Sequence, residues 1–213
     1  MTDTDRSTRL EAACTALPLV AILRGLRPEE SVEIAQTLYD AGFRLIEIPL
    51  NSPEPFDSIA AVRKALPAEA LVGAGTVTTL ADVARLDRIG ADLVVMPHAD
   101  TEVIAAAKTA GMICIPGIAT PTEAYAALSA GADALKVFPA ELVGPAAVKA
   151  IRTILPAGTR LFPVGGIAPD TMGPFRSAGV AGFGLGSALY SPGDTVEAVT
   201  DKAARFVSAW QEG

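Results

Sequence analysis

The chain is poor in the residues on which most metal and hydrolytic chemistry depends, with one histidine (His98) and two cysteines (Cys14 and Cys114) among 213 residues. A zinc site of several imidazoles, or a two-histidine facial set for another metal, needs more histidine than this, so no metal centre is expected. A Ser/His/Asp hydrolase would require His98 as its base, and no G-x-S-x-G elbow accompanies it. The two cysteines are far apart and form neither a ligand spacing nor a disulfide framework, which suits a reducing cytoplasm. Charge is also scarce, at 19% of residues, and the 17 basic against 24 acidic side chains leave a net charge of −7. No Lys/Arg cluster offers an electrostatic footprint for nucleic acid. Met1 to Arg9 is polar and carries both signs of charge, with no signal-peptide core behind it. No run approaches the length of a membrane span.

Apolar residues are abundant instead, at 50% of the chain, so a large core is available and disorder is confined to the termini. The length lies near the lower end of the roughly 200 to 250 residues in which a (β/α) barrel folds as one domain.

One unit recurs along the chain: a helical segment ends in a small Ala/Gly pair, and an apolar, β-branched run follows and stops at Pro or Gly. The clearest copies run from Ala41 to Pro49, Gly90 to Pro97, Ala110 to Gly117, Gly131 to Pro139 and Ala178 to Gly186. The glycines suit helix C-caps, and the runs lack polar alternation, as parallel strands covered on both faces do. Leu19 to Arg24, Leu71 to Val77 and Arg160 to Gly166 bring the expected strands to eight. Between them, apolar residues fall at helical spacing, as in Val32, Ala35, Leu38 and Tyr39, or Val196, Val199, Ala203, Phe206 and Trp210.

The pattern predicts an α/β chain, a (β/α)8 TIM barrel in a single domain over residues 1–213. Residues 1–15 form a polar N-terminal extension or leading helix. An open doubly wound sheet is the alternative. Against it, Gly42, Pro67 and Gly90 recur 89 positions later as Gly131, Pro156 and Gly179, which fits a closed barrel of two similar halves.

The same displacement carries Glu47 onto Lys136, each a lone charge inside an apolar strand. The second and sixth strands of an eight-stranded barrel face each other and feed the same interior layers, so a carboxylate and an amine would meet there. The bland alternatives are outward side chains or a space-filling ion pair. Apolar surroundings and Arg24, at the end of the first strand, would lower the amine's pKa, and Glu47 would raise it. A neutral amine attacks a carbonyl to form an imine, an electron sink for the adjacent carbon–carbon bond, and Glu47 would move protons. This is Schiff-base chemistry without a cofactor. Val164-Gly165-Gly166-Ile167 and Gly184-Leu185-Gly186-Ser187 end the last two strands, where barrel enzymes frequently bind phosphate through loop amides; glycines there also make ordinary turns.

The blocks Ala21-Ile22-Leu23-Arg24-Gly25, Glu47-Ile48-Pro49-Leu50-Asn51-Ser52, Gly73-Ala74-Gly75-Thr76, Ile115-Pro116-Gly117, Lys136-Val137-Phe138-Pro139, Gly165-Gly166 and Gly186-Ser187 together resemble one family. It is that of the class I 2-keto-3-deoxy-6-phosphogluconate (KDPG) and 2-keto-3-deoxy-6-phosphogalactonate (KDPGal) aldolases. The resemblance implies a homotrimeric lyase without cofactor or metal, acting on a phosphorylated 2-keto-3-deoxy sugar acid. Lys136 would form the Schiff base, with Glu47 as proton carrier. Arg24 and Thr76 would hold the carboxylate and keto-acid end, and Gly165, Gly166, Gly186 and Ser187 the phosphate. Asn51, Pro97 and Phe138 complete the implied substrate contacts. KDPG aldolases commonly carry arginine at the position of Asn51, so Leu50-Asn51-Ser52 resembles the KDPGal branch. The competing readings are a KDPG or 4-hydroxy-2-oxoglutarate aldolase and a catalytically silent phosphosugar-binding barrel. His98, after Pro97, reads as a rim residue or a ligand for a substrate hydroxyl.

Overall fold

The computed structural model describes residues 3–212, with side chains from residue 5 onward; the first two residues of the leading segment lie outside them. The first half comprises Asp3–Ala16 (α1), Leu19–Ile22 (β1), Pro28–Asp40 (α2), Leu45–Pro49 (β2), Pro55–Ala65 (α3), Leu71–Gly75 (β3), Leu80–Arg88 (α4), Leu93–Val95 (β4) and Thr101–Thr109 (α5). The second comprises Ile113–Ile115 (β5), Gly117–Ile118 (β6), Pro121–Ser129 (α6), Leu135–Val137 (β7), Ala140–Ile154 (α7), Leu161–Pro163 (β8), Met172–Ser177 (α8), Phe183–Leu185 (β9) and Val196–Gln211 (α9). Every paired strand is parallel, in the orders β5-β4-β3-β2-β1-β9 and β6-β7-β8, and a parallel bridge joins Val164 to Gly184. Among the described residues no helix is long and apolar enough to cross a membrane.

The expected helix-to-strand punctuation is present, and its chemistry is local. At the end of α2, Gly42 takes φ +106° while its N–H donates to the Tyr39 carbonyl and Phe43 N–H donates to Leu38. This is the paired closure of a left-handed C-cap, available to glycine without a Cβ penalty. The same pair of bonds recurs at Gly90, Gly111 and Gly131.

Two sequence expectations differ from the structure. The fifth strand is divided into β5 and β6 because Pro116 has no N–H to give the ladder, although its carbonyl still accepts from Lys136 N–H at 2.9 Å. On α2, Val32 faces outward at 39% exposure, and Ser31, Ile34, Ala35 and Leu38 are buried instead. Ser31 is accommodated because its hydroxyl donates to the Pro28 carbonyl at 2.9 Å.

Strand alternation divides the core in two. Ile46, Ile48, Val72, Val94, Leu135, Val137, Leu161 and Phe183 pack outward under the helices. Val20, Leu45, Leu71, Leu93, Val95, Ile113, Ile115 and Phe162 form an inner cluster, which Leu10 and Ala13 of α1 join from the strands' N-terminal side. Polar bonds fasten this lower side. Asp92 accepts from Arg9 at 2.7 Å, from Arg63 at 2.7 Å and from Val72 N–H at 3.2 Å. Asp133 receives Lys108 at 2.5 Å and Cys114 N–H at 2.8 Å. Asp92→Asn should therefore cost about 1.5 to 3 kcal/mol, the range for hydrogen bonds to charged groups, measured as a lowered urea midpoint with an unchanged slope.

Candidate active site

Alternation also directs the two lone strand charges. Glu47 lies two residues beyond inward Leu45, and Lys136 stands between outward Leu135 and Val137, so both point to the inner side above the apolar cluster. Glu47 is 1% exposed and Lys136 is 5% exposed. The chain has five lysines, and Lys136 is the buried one.

Burial pushes the Glu47 carboxyl up to about 7, against the opposing pull of the Lys136 and Arg24 charges. Lys136 is pushed down from the ordinary lysine value, first by burial and further by Arg24, with Glu47 opposing. Both groups are thereby moved toward their neutral forms, a nucleophilic amine and a proton-bearing acid. Glu47 Oε2 is buried without a hydrogen-bond partner, so a proton donor or acceptor entering the site meets an unengaged carboxyl oxygen. Gly75 makes room for that carboxyl, since a Cβ there would collide with it. The next residue, Thr76, holds φ +57°. A β-branched residue in this region carries strain on the order of 1 to 3 kcal/mol, of the kind that collects at functional sites.

Lys136 opens into a cavity of about 340 Å³ lined by Arg24, Phe138, Gly165, Gly166, Gly186 and Ser187, together with Ile22, Val164, Ile167, Ala168 and Ala188. Its Nζ stands 4.8 Å from the centre of the Phe138 ring. Gly165 and Gly166 take φ +106° and +66°, and the Glu141 carboxylate occupies the space beside Gly165 that a Cβ would need. A second hollow, of about 390 Å³, shares Arg24, Gly186 and Ser187 and adds Gly25, Asn51, Tyr190, Ser191 and Pro192.

The residues singled out in the sequence thus fall into groups. Lys136, Arg24, Phe138 and the four phosphate candidates share one cavity, and Glu47 is coupled to two of them. Asn51 lies in the neighbouring hollow, where its Oδ1 accepts from Arg24 Nη1 at 2.7 Å. Thr76 is half-buried beside Gly75. Pro97 is outside the cavity lining and presses its backbone on Gly117, the register partner of Lys136; His98 is exposed. Sequence reasoning gave Ser52 no role beyond its place in the Leu50-Asn51-Ser52 pattern; it is 8% exposed and accepts from Gly25 N–H at 2.9 Å. Its place next to Asn51 in a polar turn was the available signal. Sequence reasoning missed Glu141, a charge directly after Phe138-Pro139-Ala140.

The whole chain is similar to known proteins. The family model for KDPG and KHG aldolase matches residues 10–200. The 2-dehydro-3-deoxy-6-phosphogalactonate aldolase of Escherichia coli (strain K12) is 47% identical over 198 residues, covering 93% of this chain and 97% of its own. A solved structure described as native KDPGal superposes with a TM-score of 0.90 at 47% identity, covering 92% of this chain and 95% of that one. A cube-shaped, highly porous protein cage designed by fusing symmetric oligomeric domains contains a chain with TM-score 0.90 and 47% identity. There the match covers 92% of this chain and 73% of the cage chain.

Proposed function

The chain belongs to the KDPG and KHG aldolase family, and on that premise we propose that it is a class I aldolase. It cleaves 2-dehydro-3-deoxy-6-phospho-D-galactonate to pyruvate and D-glyceraldehyde 3-phosphate. The observation that carries the reading is the buried Lys136 amine in the lining of the cavity, within reach of the Glu47 and Arg24 charges. The Lys136 amine attacks the C2 ketone and loses water to give an iminium, which accepts the electron pair of the C3–C4 bond. Glu47, directly or through water, takes the C4 hydroxyl proton as that bond breaks. It then helps protonate C3 of the enamine before hydrolysis releases pyruvate.

Arg24 and Thr76 bind the carboxylate and keto-acid end, with Phe138 as the apolar wall. Asn51 serves the same end of the substrate from the neighbouring loop, through its hydrogen bond to Arg24, and Pro97 shapes the strand on which Lys136 is registered. Gly165, Gly166, Gly186 and Ser187 receive the phosphate through backbone amides and a hydroxyl, an interaction that needs no net positive charge. No cofactor or metal enters this scheme.

The same proposal takes residues 1–213 as one domain led by the α1 segment, with β5 and β6 as one interrupted strand and the strands closed into an eight-stranded barrel. The Val164–Gly184 bridge and the Gly117–Lys136 pairing support closure. A homotrimer is supported by family membership and by the use of a related domain in an assembly of symmetric oligomers. A cytoplasmic location is supported by the two free, widely separated cysteines.

The second reading, a KDPG or 4-hydroxy-2-oxoglutarate aldolase, is favoured by the breadth of the matching family. Pyruvate release from the two C4-epimeric phosphates separates the readings. We expect kcat/KM to favour the galactonate epimer by about 10-fold or more, within the reach of one polar contact in a pocket. The reverse preference transfers the assignment to KDPG. Cleavage of neither, with no imine on Lys136, leaves a phosphosugar-binding barrel.

A further inference from the structure

The loops that follow β1 and β2 are tied by two adjacent hydrogen bonds. Arg24 Nη1 donates to Asn51 Oδ1 at 2.7 Å, and one residue on, Gly25 N–H donates to Ser52 Oγ at 2.9 Å. The second loop is itself fixed, since Ser52 N–H donates to Pro49 at 2.9 Å and Leu50 N–H to Gly75 at 2.8 Å. A Cβ on Gly25 would strike Pro192, so the Arg24 end of the first loop has little space in which to shift. Arg24 lies at the shared wall of the two hollows.

We infer that Asn51 and Ser52 are positioning residues that hold Arg24 at the mouth of the Lys136 cavity without neutralising it. A carboxamide oxygen satisfies one guanidinium N–H and brings no charge of its own, whereas an aspartate would satisfy the same N–H and cancel the cation. Among the described residues, Asn51 is the side-chain partner of the Arg24 guanidinium, so the remaining donors stay available to an anionic substrate. The inference deepens the proposed function and rests on it. It also gives Asn51 a part in the reaction through Arg24 rather than through a substrate hydroxyl. The charged groups that reach Lys136 are Glu47 on β2 and Arg24 after β1; Glu141 of α7 lies beside Gly165. Cancelling Arg24 therefore leaves Glu47 dominant and moves Lys136 back toward the ordinary lysine value.

The test compares wild type, Asn51→Ala, Asn51→Asp and Ser52→Ala in steady-state cleavage of the phosphorylated substrate and in borohydride trapping of pyruvate on Lys136 across pH. Asn51→Ala should raise KM roughly 10-fold, the lower end for a hydrogen bond to a charged group, and leave kcat within about twofold. Asn51→Asp should raise KM at least as much, although Arg24 remains held. It should also move the pH midpoint of trapping upward, which a merely structural role would not do. Ser52→Ala should raise KM by about 3-fold, as for one neutral hydrogen bond. Wild-type KM and trapping profiles in both Asn51 variants overturn the inference, and so does a fall in kcat at constant KM, which would put Asn51 on the reacting atoms. A wild-type protein that neither cleaves substrate nor traps pyruvate overturns the aldolase reading itself, and the positioning role of Asn51 and Ser52 with it.

Discussion

Lys136→Met abolishes both cleavage and pyruvate trapping while leaving the fold intact. Methionine matches the length of the lysine stem and is unbranched, so the inner layer stays filled. The variant leaves Glu47 without its buried counter-charge, but a carboxyl already pushed up to about 7 keeps its proton at pH 6, so stability there should hold within about 1 kcal/mol. The catalytic loss should be far larger. Without the amine no iminium forms, the C3–C4 electron pair has no sink, and turnover should fall by more than about 10⁴, beyond what misplaced proton transfer alone costs.

The remaining lysines provide an internal control for that experiment. Lys108 and Lys202 are engaged with Asp133 at 2.5 Å and Asp194 at 2.6 Å, and Lys64 and Lys149 are exposed. After borohydride and pyruvate, intact mass and peptide mapping should find the reduced adduct on Lys136 in wild type and on no lysine in the variant. An adduct that persists at Lys108 or Lys149, or cleavage that survives the substitution, sinks the assignment.

What could be read in advance was set by local chemistry. Gly42, Gly90, Gly111 and Gly131 announced helix ends because a left-handed cap is a property of a few consecutive residues. Glu47 and Lys136 stood out because a charge inside an apolar strand is costly unless it has a use. Their common inner face followed from strand alternation and an 89-residue repeat. The contacts that complete the site are different in kind. Nothing near Asn51 in the sequence shows that its amide meets Arg24, 27 positions earlier. The glycine at 75 is needed by a carboxylate on the preceding strand, at Glu47, 28 positions earlier. Val32 fitted a helical stripe, yet the stripe on α2 is rotated toward Ser31, a polar residue that a hydrophobic pattern passes over. Each of these depends on how loops and helices meet after folding, which periodicity does not encode.

Glu47→Gln separates imine formation from the proton transfers that follow it. Lys136 keeps its enclosure, so borohydride should still trap pyruvate on it. Turnover should fall by roughly 10² to 10⁴, the usual contribution of a positioned acid–base group. Removing the carboxylate also removes the charge that supports the ammonium of Lys136, so the midpoint of trapping should move to lower pH.

Stability changes in the opposite sense from activity. With its carboxyl raised from 4.5 to about 7 in the folded chain, wild-type Glu47 holds its proton where the unfolded chain has lost it. Its favourable contribution is therefore complete below about pH 4.5 and lost as pH rises through 7. At 1.36 kcal/mol per pH unit, that interval corresponds to about 3 kcal/mol, a term glutamine does not carry. Urea unfolding at pH 5 and pH 8 should show the variant gaining about 2 to 3 kcal/mol on wild type between the two. A difference that does not change with pH would mean that Glu47 is already ionised in the folded protein at neutral pH. It would then meet the C4 hydroxyl already as a base, and the proton it returns to the enamine would be the one it takes there. Unchanged turnover would remove it from the chemistry altogether and leave proton transfer to water at the mouth of the cavity.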